Sequence, residues 1–304
     1  MGTYYRVTAR CADDVAALVE AELKAVNDEM STYLPDSALS RFNRAPVGQW
    51  WPVPRPLADV VDAAARLSRA SAGAFDVTVG PLVNLWGFGP HDDAAADSPQ
   101  PPNEEALARA RERVGFEKLE VRLDPPALRK TADLYVDLSA IAKGHGVDRV
   151  VERLIGAGCS DLLVDVGGEV RGVGRSPSTR NWRVGVETPD PGQLGAIERV
   201  LVLDDVAAAT SGDYRNYVEV DGQRYSHTMD PRTGRPVAHA LASVTVLHAS
   251  AMWADGYATA LDVLGPEAGF ELAVRLGLPA LFIVREDGSF RVRYTAALEP
   301  ALAE

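Results

Sequence analysis

The chain has 304 residues, of which 46% are hydrophobic and 24% are charged, and its formal net charge is −12. This composition is typical of a globular protein with one large domain or two ordinary ones. The negative charge and the low aromatic content of 7% argue against a nucleic-acid-binding surface. Because no run of about 18 apolar residues occurs, no membrane-spanning helix is predicted. An anionic ligand needs a local basic or metal site, since the overall charge repels it.

The spacing of apolar residues predicts the secondary structure in chain order. The first part of the chain predicts a strand (3–10), a helix (15–30), a loop (31–43), a helix (56–72), an extended run after Asp76 and an exposed loop (89–105). From residue 119 onward strand patterns dominate, at KLEVRL, LYVDL, LLVDV, WRVGVE, VAAAT, YVEV, RYSHTM, SVTVLH, LFIV and FRVRY. Further helices are predicted over 146–156, 252–264 and 267–276.

Two Asp-Gly pairs between strand patterns, Asp221-Gly222 and Asp287-Gly288, predict β-hairpins. Hairpins mixed with helices favour an α+β fold over a doubly wound parallel sheet. The two cysteines, Cys11 and Cys159, have neither metal-ligand spacing nor the number expected of a disulfide framework. Both are therefore predicted to be free thiols.

The segment VDLSAIAKG (136–144) combines a carboxylate, a lysine and a helix start. A short apolar strand is predicted to deliver Asp137, and Lys143 and Gly144 open the following helix. Free amides at a helix N-terminus, beside a lysine, suit a phosphate-bearing ligand. Neither the GxxxxGK[ST] nor the GxGxxG pattern is present. The alternative is a tight strand-to-helix turn with a solvated lysine.

The segment MWADGYATALDVLG (252–265) places Asp255 and Thr259 four residues apart, on one face of a helix. Their oxygens suit a hard cation such as Mg²⁺, which completes its octahedron with water and substrate phosphate. The alternative is an exposed aspartate, with the threonine hydroxyl bonding back to its own helical turn.

Two polar segments lie among the strand patterns. His227 is predicted within a strand, three residues before Asp230, and is either a general base, a metal ligand or a structural histidine. The segment TSGDYRNY (210–217) is predicted to be a polar turn. It is either a β-bulge or a nest of backbone amides for a phosphate, with Arg215 close by.

Two glycine-containing segments also permit a ligand to approach the backbone. GGEV (167–170) follows a buried strand pattern, and its glycines suit a bulge or a ligand ring. In the segment AGAFD (72–76), Phe75 either covers a flat heterocycle or belongs to the core.

Taken together, in order and spacing, eight blocks resemble the ApbE family of FAD:protein FMN transferases. The blocks are MGTYYRV, MSTYLPDSALSRFN, GAFDVTVGPLVNLWGFG, DLSAIAKGHGVDRV, LLVDVGGEVRGVG, TSGDYRNY, YSHTMDPRTGRPV and ADGYATALDVLG. The similarity covers nearly the whole chain. It implies an ApbE-like, T-fold-related architecture with mainly antiparallel sheets and packed helices. This forms a single domain (1–304) or two intertwined subdomains.

The resemblance also implies an activity. Such enzymes bind FAD and a divalent cation, usually Mg²⁺, and transfer FMN to a threonine or serine hydroxyl of another protein, releasing AMP. The expected acceptor is a flavoprotein subunit of a membrane redox system. Family members are commonly exported, with a leader that ends ahead of the MGT block where this chain starts. A periplasmic or otherwise exported location is therefore expected.

The family's functional positions are carried onto the matching residues. The implied FAD contacts are Met1, Tyr33, Ala74, Phe75, Asp76, Asp137, Lys143 and Met229. The implied metal ligands are Asp255, Thr259 and the backbone carbonyl of Ala140. His227 is the candidate base for the acceptor hydroxyl, and Asp230 is predicted to orient it.

Two other activities fit the same residues. One is a metal-dependent FAD pyrophosphatase, in which water replaces the acceptor hydroxyl and FMN and AMP are released. The other is a flavin-binding carrier without chemistry. The Asp255/Thr259 pair favours an enzyme, because a carrier has no need of a cation site.

Overall fold

A computed structural model describes residues 2–89, 101–178, 180–190, 192, 195–212, 217–220 and 223–303. The chain divides into two compact units. The first unit comprises Met1–Val26, Ile141–Arg215 and His239–Glu304, and the second comprises Asn27–Ala140 and Asn216–Ala238.

The helices are α1 (Ala16–Met30), α2 (Ala38–Asn43), α3 (Arg55–Ala70), α4 (Gly80–Leu85), α5 (Glu104–Glu112), α6 (Ala142–Gly156) and α7 (Ala251–Leu276). The strands are β1 (Tyr5–Arg10), β2 (Trp51–Pro52), β3 (Leu119–Leu123), β4 (Pro126–Lys130), β5 (Ser160–Val166), β6 (Glu169–Val173), β7 (Trp182–Glu187), β8 (Ile197–Leu203), β9 (Ala207–Gly212), β10 (Tyr217–Val220), β11 (Gln223–Ser226), β12 (Met229–Asp230), β13 (Arg235–Pro236), β14 (Leu241–His248), β15 (Ala280–Glu286) and β16 (Ser289–Tyr294). Among the described residues, none of these helices is long and apolar enough to cross a membrane.

A seven-stranded antiparallel sheet forms the centre of the first unit, in the order β1-β5-β6-β9-β14-β15-β16. Helices α6 and α7 bury their apolar sides on one face of the sheet, as Val150 and Leu261 illustrate. The β7–β8 hairpin covers the other face through Trp182 and Leu203. Because both faces are covered, β14 is buried from Leu241 to Leu247. The sheet therefore holds α6 and α7 side by side.

The second unit is built from smaller pieces. Its three-stranded antiparallel sheet has the order β2-β4-β3, and α3 buries an apolar face that includes Leu57, Val61 and Leu67. Helices α4 and α5 share a separate apolar cluster around Leu82 and Leu107. Two hairpins, β10–β11 and β12–β13, complete the unit.

Several predictions from the sequence are confirmed. The α+β class with mainly antiparallel sheets is correct. Both predicted hairpins are present: Val220 pairs with Gln223 and Glu286 pairs with Ser289. Asp221 and Gly222 themselves lie outside the described residues. The two predicted C-terminal helices are the arms of α7, which bends at Gly265 (φ 81°, ψ −174°) and Pro266.

Other predictions of secondary structure are wrong. The predicted loop 31–43 contains α2, whose start is capped by Ser37 Oγ accepting a hydrogen bond from Ser40 N at 2.9 Å. The extended run predicted after Asp76 contains α4, and α5 begins within the predicted loop 89–105. Proline, serine and asparagine residues next to these helices are typical of loops, so the sequence pattern did not indicate a helix there.

The predicted strand LYVDL is irregular backbone, because a side chain takes the place of a partner strand. Asn43 Oδ1 accepts a hydrogen bond from Val136 N at 2.8 Å, and Asn43 Nδ2 donates one to Val136 O at 2.9 Å. The Asp137 amide donates to Val77 O at 2.7 Å. The segment is therefore extended without belonging to a sheet.

The prediction of two free thiols is also wrong. Cys11 and Cys159 form a disulfide across 148 residues of sequence. Cys11 follows β1 and Cys159 precedes β5, and these two strands are neighbours in the sheet. Strand pairing thus brings together two cysteines whose spacing in the sequence gives no indication of a bridge.

Replacing Cys11 with serine is expected to lower the free energy of unfolding by about 2–5 kcal/mol, because the bridge closes a long loop in the unfolded chain. Urea unfolding of oxidised and reduced protein measures this difference. The Cys11→Ser/Cys159→Ser variant is the control, since reductant has no bond to break in it. Identical unfolding midpoints for that variant and the oxidised wild type would contradict the structure.

Candidate active site

A carboxylate of α6 fixes the N-terminus of α7. Asp148 accepts hydrogen bonds from Ser250 Oγ (2.6 Å), Ala251 N (2.9 Å) and Met252 N (3.0 Å). The two amides are among the donors that a helix start leaves without intrahelical partners, and the negative charge suits the positive end of the helix dipole. The first turn of α7 is therefore held at a defined place on α6.

Two further side chains strengthen this junction. Arg171 of β6 donates from Nη1 to Asp148 Oδ1 at 2.6 Å, which connects the helices to the sheet. His248 Nδ1 accepts a hydrogen bond from Ser250 N at 3.0 Å. Burial is the main effect on His248 and lowers its pKa, and a neutral imidazole nitrogen can act as that acceptor.

Helices α6 and α7 approach each other closely at Gly144. A Cβ atom added there would lie 2.2 Å from Ala251 O and 2.8 Å from Met252 N, so any side chain would push the helices apart. The bare backbone allows Gly144 N to donate to Asp255 Oδ2 at 3.0 Å. Asp255, which is only 3% exposed, is thus oriented by an amide of the neighbouring helix.

Three charged side chains, Lys143, Glu169 and Asp255, form what we call the lysine–carboxylate cluster. Lys143 Nζ makes a short ion pair with Glu169 Oε1 and lies 3.9 Å from Asp255 Oδ1. Glu169 and Asp255 are both buried, whereas the lysine side chain is 31% exposed. The cluster therefore holds two buried carboxylates beside one ammonium that faces partly outward.

Burial and mutual repulsion govern the ionisation of this cluster. Desolvation, followed by the charge of Asp255, raises the pKa of Glu169 to about 8, against the opposing effect of Lys143. Desolvation also raises the pKa of Asp255, although Lys143 and the Gly144 amide oppose it. For Lys143, desolvation lowers the pKa, but the two carboxylates together raise it above its ordinary value. The ammonium is therefore charged, and the carboxylates favour additional positive charge.

Thr259 lies one helical turn after Asp255, as predicted. Its Oγ1 is 3.3 Å from Ser211 Oγ of β9, and Thr210 Oγ1 is 2.8 Å from Thr245 Oγ1 of β14. Thr210 to Gly212 belong to β9, so the prediction of a polar turn beginning at Thr210 is wrong. The amide nest predicted near Arg215 lies outside the described residues.

The predicted cation ligands are hard oxygen donors. Among the described residues, no group of three or more His, Cys, Asp and Glu side chains is arranged to hold a metal ion. Asp255 and Thr259 supply one carboxylate and one hydroxyl, and Ala140 lies in the turn just before α6. This set fits Mg²⁺, which uses one or two carboxylates and takes its other ligands from water and phosphate.

In the second unit, Ala74 and Phe75 are each 1% exposed. Phe75 is therefore a core residue of this unit, and its role as an FAD contact stays a prediction. Both oxygens of the Asp76 carboxylate accept hydrogen bonds from neighbouring residues. Oδ1 accepts from Thr78 N and Thr78 Oγ1, both at 2.7 Å, and Oδ2 accepts from Phe116 N at 2.9 Å. Burial is the main effect on Asp76 and raises its pKa against these hydrogen bonds.

A cavity of about 600 Å³ adjoins Asp76. Its lining includes Gly73 and Phe116 together with the basic side chains Arg69, Arg111 and Arg232. The cavity therefore offers positive charge beside one of the predicted FAD contacts, within a chain whose overall charge is negative.

Tyr33 and Asp137 are more accessible than Phe75. Tyr33 is 67% exposed, so its ring is available to a ligand. Asp137 is half-buried, and its Oδ1 accepts hydrogen bonds from Ser139 N (2.8 Å) and Ser139 Oγ (2.5 Å). The main-chain bond from Asp137 to Val77 places it next to the segment that contains Asp76.

His227 lies between β11 and β12 rather than within a strand as predicted. Its ring meets Phe88 edge-on, with ring centroids 6.5 Å apart. Met229 is 5% exposed, so nearly all of this residue is buried, and its role as an FAD contact stays a prediction. His227 belongs to the short connection between the two hairpins of the second unit, and Met229 begins β12.

Asp230 is engaged by an arginine. Its Oδ1 accepts hydrogen bonds from Arg232 N and Nε, and its Oδ2 accepts one from Arg232 Nη2, each at 2.9 Å. The structure therefore pairs Asp230 with Arg232, and the role of Asp230 in orienting His227 stays a prediction.

Comparison with known proteins identifies the family to which the chain belongs. The model of the ApbE family matches residues 1–282. The chain belongs to the ApbE family. The FAD:protein FMN transferase of Vibrio cholerae (strain O395) is 43% identical over 310 residues, covering 100% of this chain and 91% of that protein. The Haemophilus influenzae FAD:protein FMN transferase is 40% identical, covering 98% and 88% of the two chains. The structure of the flavin transferase ApbE from Vibrio cholerae superposes with a TM-score of 0.90 at 41% identity, covering 99% and 96%.

Within this ApbE protein, the structure brings together only some of the residues implied by the resemblance. Lys143, Asp255 and Thr259 gather at α6 and α7 of the first unit. Tyr33, Ala74, Phe75, Asp76, Asp137, Ala140, His227, Met229 and Asp230 belong to the second unit. Met1 lies outside the described residues. The roles assigned to all these residues remain predictions.

Sequence reasoning missed three residues of this site. Glu169 directly follows two glycines, where an acidic residue is ordinarily exposed, so its burial and its contact with Lys143 are not evident from the sequence. Asp148 and Arg171 lie within an ordinary helix pattern and an ordinary strand pattern. Asp148 acts through contacts with the start of α7, more than 100 residues away in sequence, and Arg171 acts through its ion pair with Asp148.

Replacing Gly144 with alanine is expected to reduce stability by about 1–3 kcal/mol, because the added methyl group overlaps the backbone of α7. The Gly156→Ala variant is the control, since an added Cβ at that end of α6 meets no atom within 4 Å. Thermal unfolding of the two variants measures the difference. Equal melting temperatures would show that the helices are not in close contact.

Proposed function

We propose that this protein transfers the FMN portion of FAD to a threonine or serine hydroxyl of an acceptor protein, forming a phosphoester and releasing AMP. Its family and its FAD:protein FMN transferase relatives support the activity. The single observation that carries the proposal is the lysine–carboxylate cluster next to Thr259. It offers an ammonium for phosphate oxygens and a buried carboxylate suited to a cation.

The chemistry is a displacement at phosphorus. The acceptor hydroxyl oxygen bonds to the phosphorus that carries the riboflavin group, and the bond from this phosphorus to the bridging oxygen breaks. The electron pair leaves with AMP, and the hydroxyl proton passes to a base. Such transfers depend on positioning the nucleophile in line and on stabilising charge on the phosphate oxygens.

Residues of this chain supply these requirements. The ammonium of Lys143 stabilises negative charge on the diphosphate, and His227 accepts the hydroxyl proton. Asp255, Thr259 and the main-chain carbonyl of Ala140 would hold Mg²⁺, which would supply further positive charge to stabilise the diphosphate. Tyr33 contributes an exposed ring surface to flavin binding.

The acceptor is proposed to be a flavoprotein subunit of a membrane redox system, outside the cytoplasm. The disulfide between Cys11 and Cys159 supports the location, because disulfides persist in oxidising compartments such as the periplasm.

Replacing Asp255 with asparagine is expected to lower the transfer rate roughly 100-fold or more, because the proposed cation site loses its carboxylate. Intact mass spectrometry of a candidate acceptor, incubated with FAD and Mg²⁺, measures the transfer as a gain of FMN minus water. Glu271→Gln removes an exposed carboxylate from the same helix and is expected to behave as wild type. Normal labelling by the Asp255 variant would refute the cation site, and release of FMN without acceptor labelling would indicate a pyrophosphatase.

Replacing His227 with alanine is expected to reduce kcat by about 10²–10⁴-fold, the usual contribution of a general base. The dissociation constant for FAD, followed by flavin fluorescence, is expected to stay close to that of the wild type. The His227→Phe variant keeps a ring beside Phe88 but lacks the nitrogen, so it is expected to be equally slow. A large loss of FAD affinity with normal turnover of bound FAD would contradict the role as a base.

A further inference from the structure

The turn that begins β6 gives Glu169 a fixed position. Gly167 (φ 64°) and Gly168 (φ 103°) form the tight connection between β5 and β6, and Val166 pairs with Glu169 across it. A Cβ atom on Gly167 would lie 2.8 Å from Thr3, so the turn requires glycine there. Glu169 is therefore the first residue of a strand in the central sheet, and only 2% of it is exposed.

The position of Glu169 is unfavourable for folding. One of its oxygens, Oε2, is buried without a hydrogen-bond partner among the described residues. Burial of an unsatisfied carboxylate oxygen costs folding free energy. Glutamine or an apolar residue at this position would reduce that cost. Within the part of the chain that the structure describes, the only ion pair of this carboxylate is that of Oε1 with Lys143 Nζ.

Lys143 lies between two buried carboxylates but contacts them unequally. Its Nζ is within hydrogen-bonding distance of Glu169 Oε1 and 3.9 Å from Asp255 Oδ1, which is too long for a hydrogen bond. Asp255 Oδ2 accepts the Gly144 amide, whereas Oδ1 accepts no hydrogen bond from the described part of the chain. The ammonium therefore lies closer to Glu169 than to Asp255. Asp255 Oδ1 is left without a hydrogen bond from the described residues.

We infer that Glu169 is a positioning residue, which holds the ammonium of Lys143 away from Asp255 and so keeps this carboxylate available to a divalent cation. This inference rests on the proposed function, because it takes Asp255 as a cation ligand. Without Glu169, Asp255 is the remaining buried anion beside the ammonium, and the two would pair directly. Lys143 would then compete with the cation for the same oxygen.

The inference predicts a specific pattern of Mg²⁺ affinities, measured by isothermal titration calorimetry in the absence of FAD and acceptor. Glu169→Ala is expected to raise the Kd for Mg²⁺ on the order of tenfold or more, as loss of an outer-shell partner of a metal ligand usually does. Glu169→Gln keeps an oxygen that accepts from the ammonium, so its Kd is expected to stay within about threefold of wild type. Circular dichroism and thermal unfolding check that each variant is folded.

The decisive comparison is a double-mutant cycle with Lys143→Met. If Glu169 acts by holding the ammonium, then Glu169→Ala changes the Mg²⁺ affinity in the wild-type background but not in the Lys143→Met background. An equal loss in both backgrounds, or an equal loss for Glu169→Ala and Glu169→Gln, would overturn the inference, because Glu169 would then act through its own charge. Mg²⁺ binding that is absent from the wild type, or unchanged in Asp255→Asn, would instead contradict the proposed cation site.

Discussion

The contact between α6 and the first turn of α7 is the constraint on which the candidate site depends. Gly144 lets the two backbones approach, and Asp148 takes up the amides at the start of α7. As a result, Lys143 on one helix and Asp255 on the other share a small volume. Neither helix alone could create this arrangement, since the lysine and the aspartate are brought together only by packing.

The electrostatics of the site follow from that packing. Two carboxylates are buried next to a single ammonium, and burial of unpaired charge is costly. Uncharged residues at this position would be more favourable for the free energy of folding. A divalent cation next to these carboxylates would offset their negative charge, as the proposed function requires.

Local patterns predicted much of this site from the sequence. The spacing of Asp255 and Thr259 placed them on one helical face, and Lys143 and Gly144 were predicted to open a helix. These predictions hold because they depend on periodicity and on helix-start chemistry, which act over a few residues. The hairpin turn at Asp287-Gly288 was predictable for the same reason, since both residues adopt positive φ.

What the sequence could not predict depends on distant contacts. LYVDL has a strand pattern, but Asn43, more than 90 residues earlier, supplies the hydrogen bonds that a neighbouring strand would have made. From its sequence context, Glu169 is an ordinary acidic residue after a turn. Only the structure shows that it is buried and paired with Lys143. Cys11 and Cys159 pair because their strands do. In each case tertiary packing overrides the local pattern.

The pairing of β1 with β5 also has a consequence for biosynthesis. At a usual translation speed of about 5–20 residues per second, the ribosome needs roughly 7–30 s to travel from Cys11 to Cys159. During that interval residues 27–140, which belong to the second unit, emerge before the strand with which β1 pairs. The main-chain hydrogen-bonding groups of β1 therefore have no strand partner until β5 is available to pair with them.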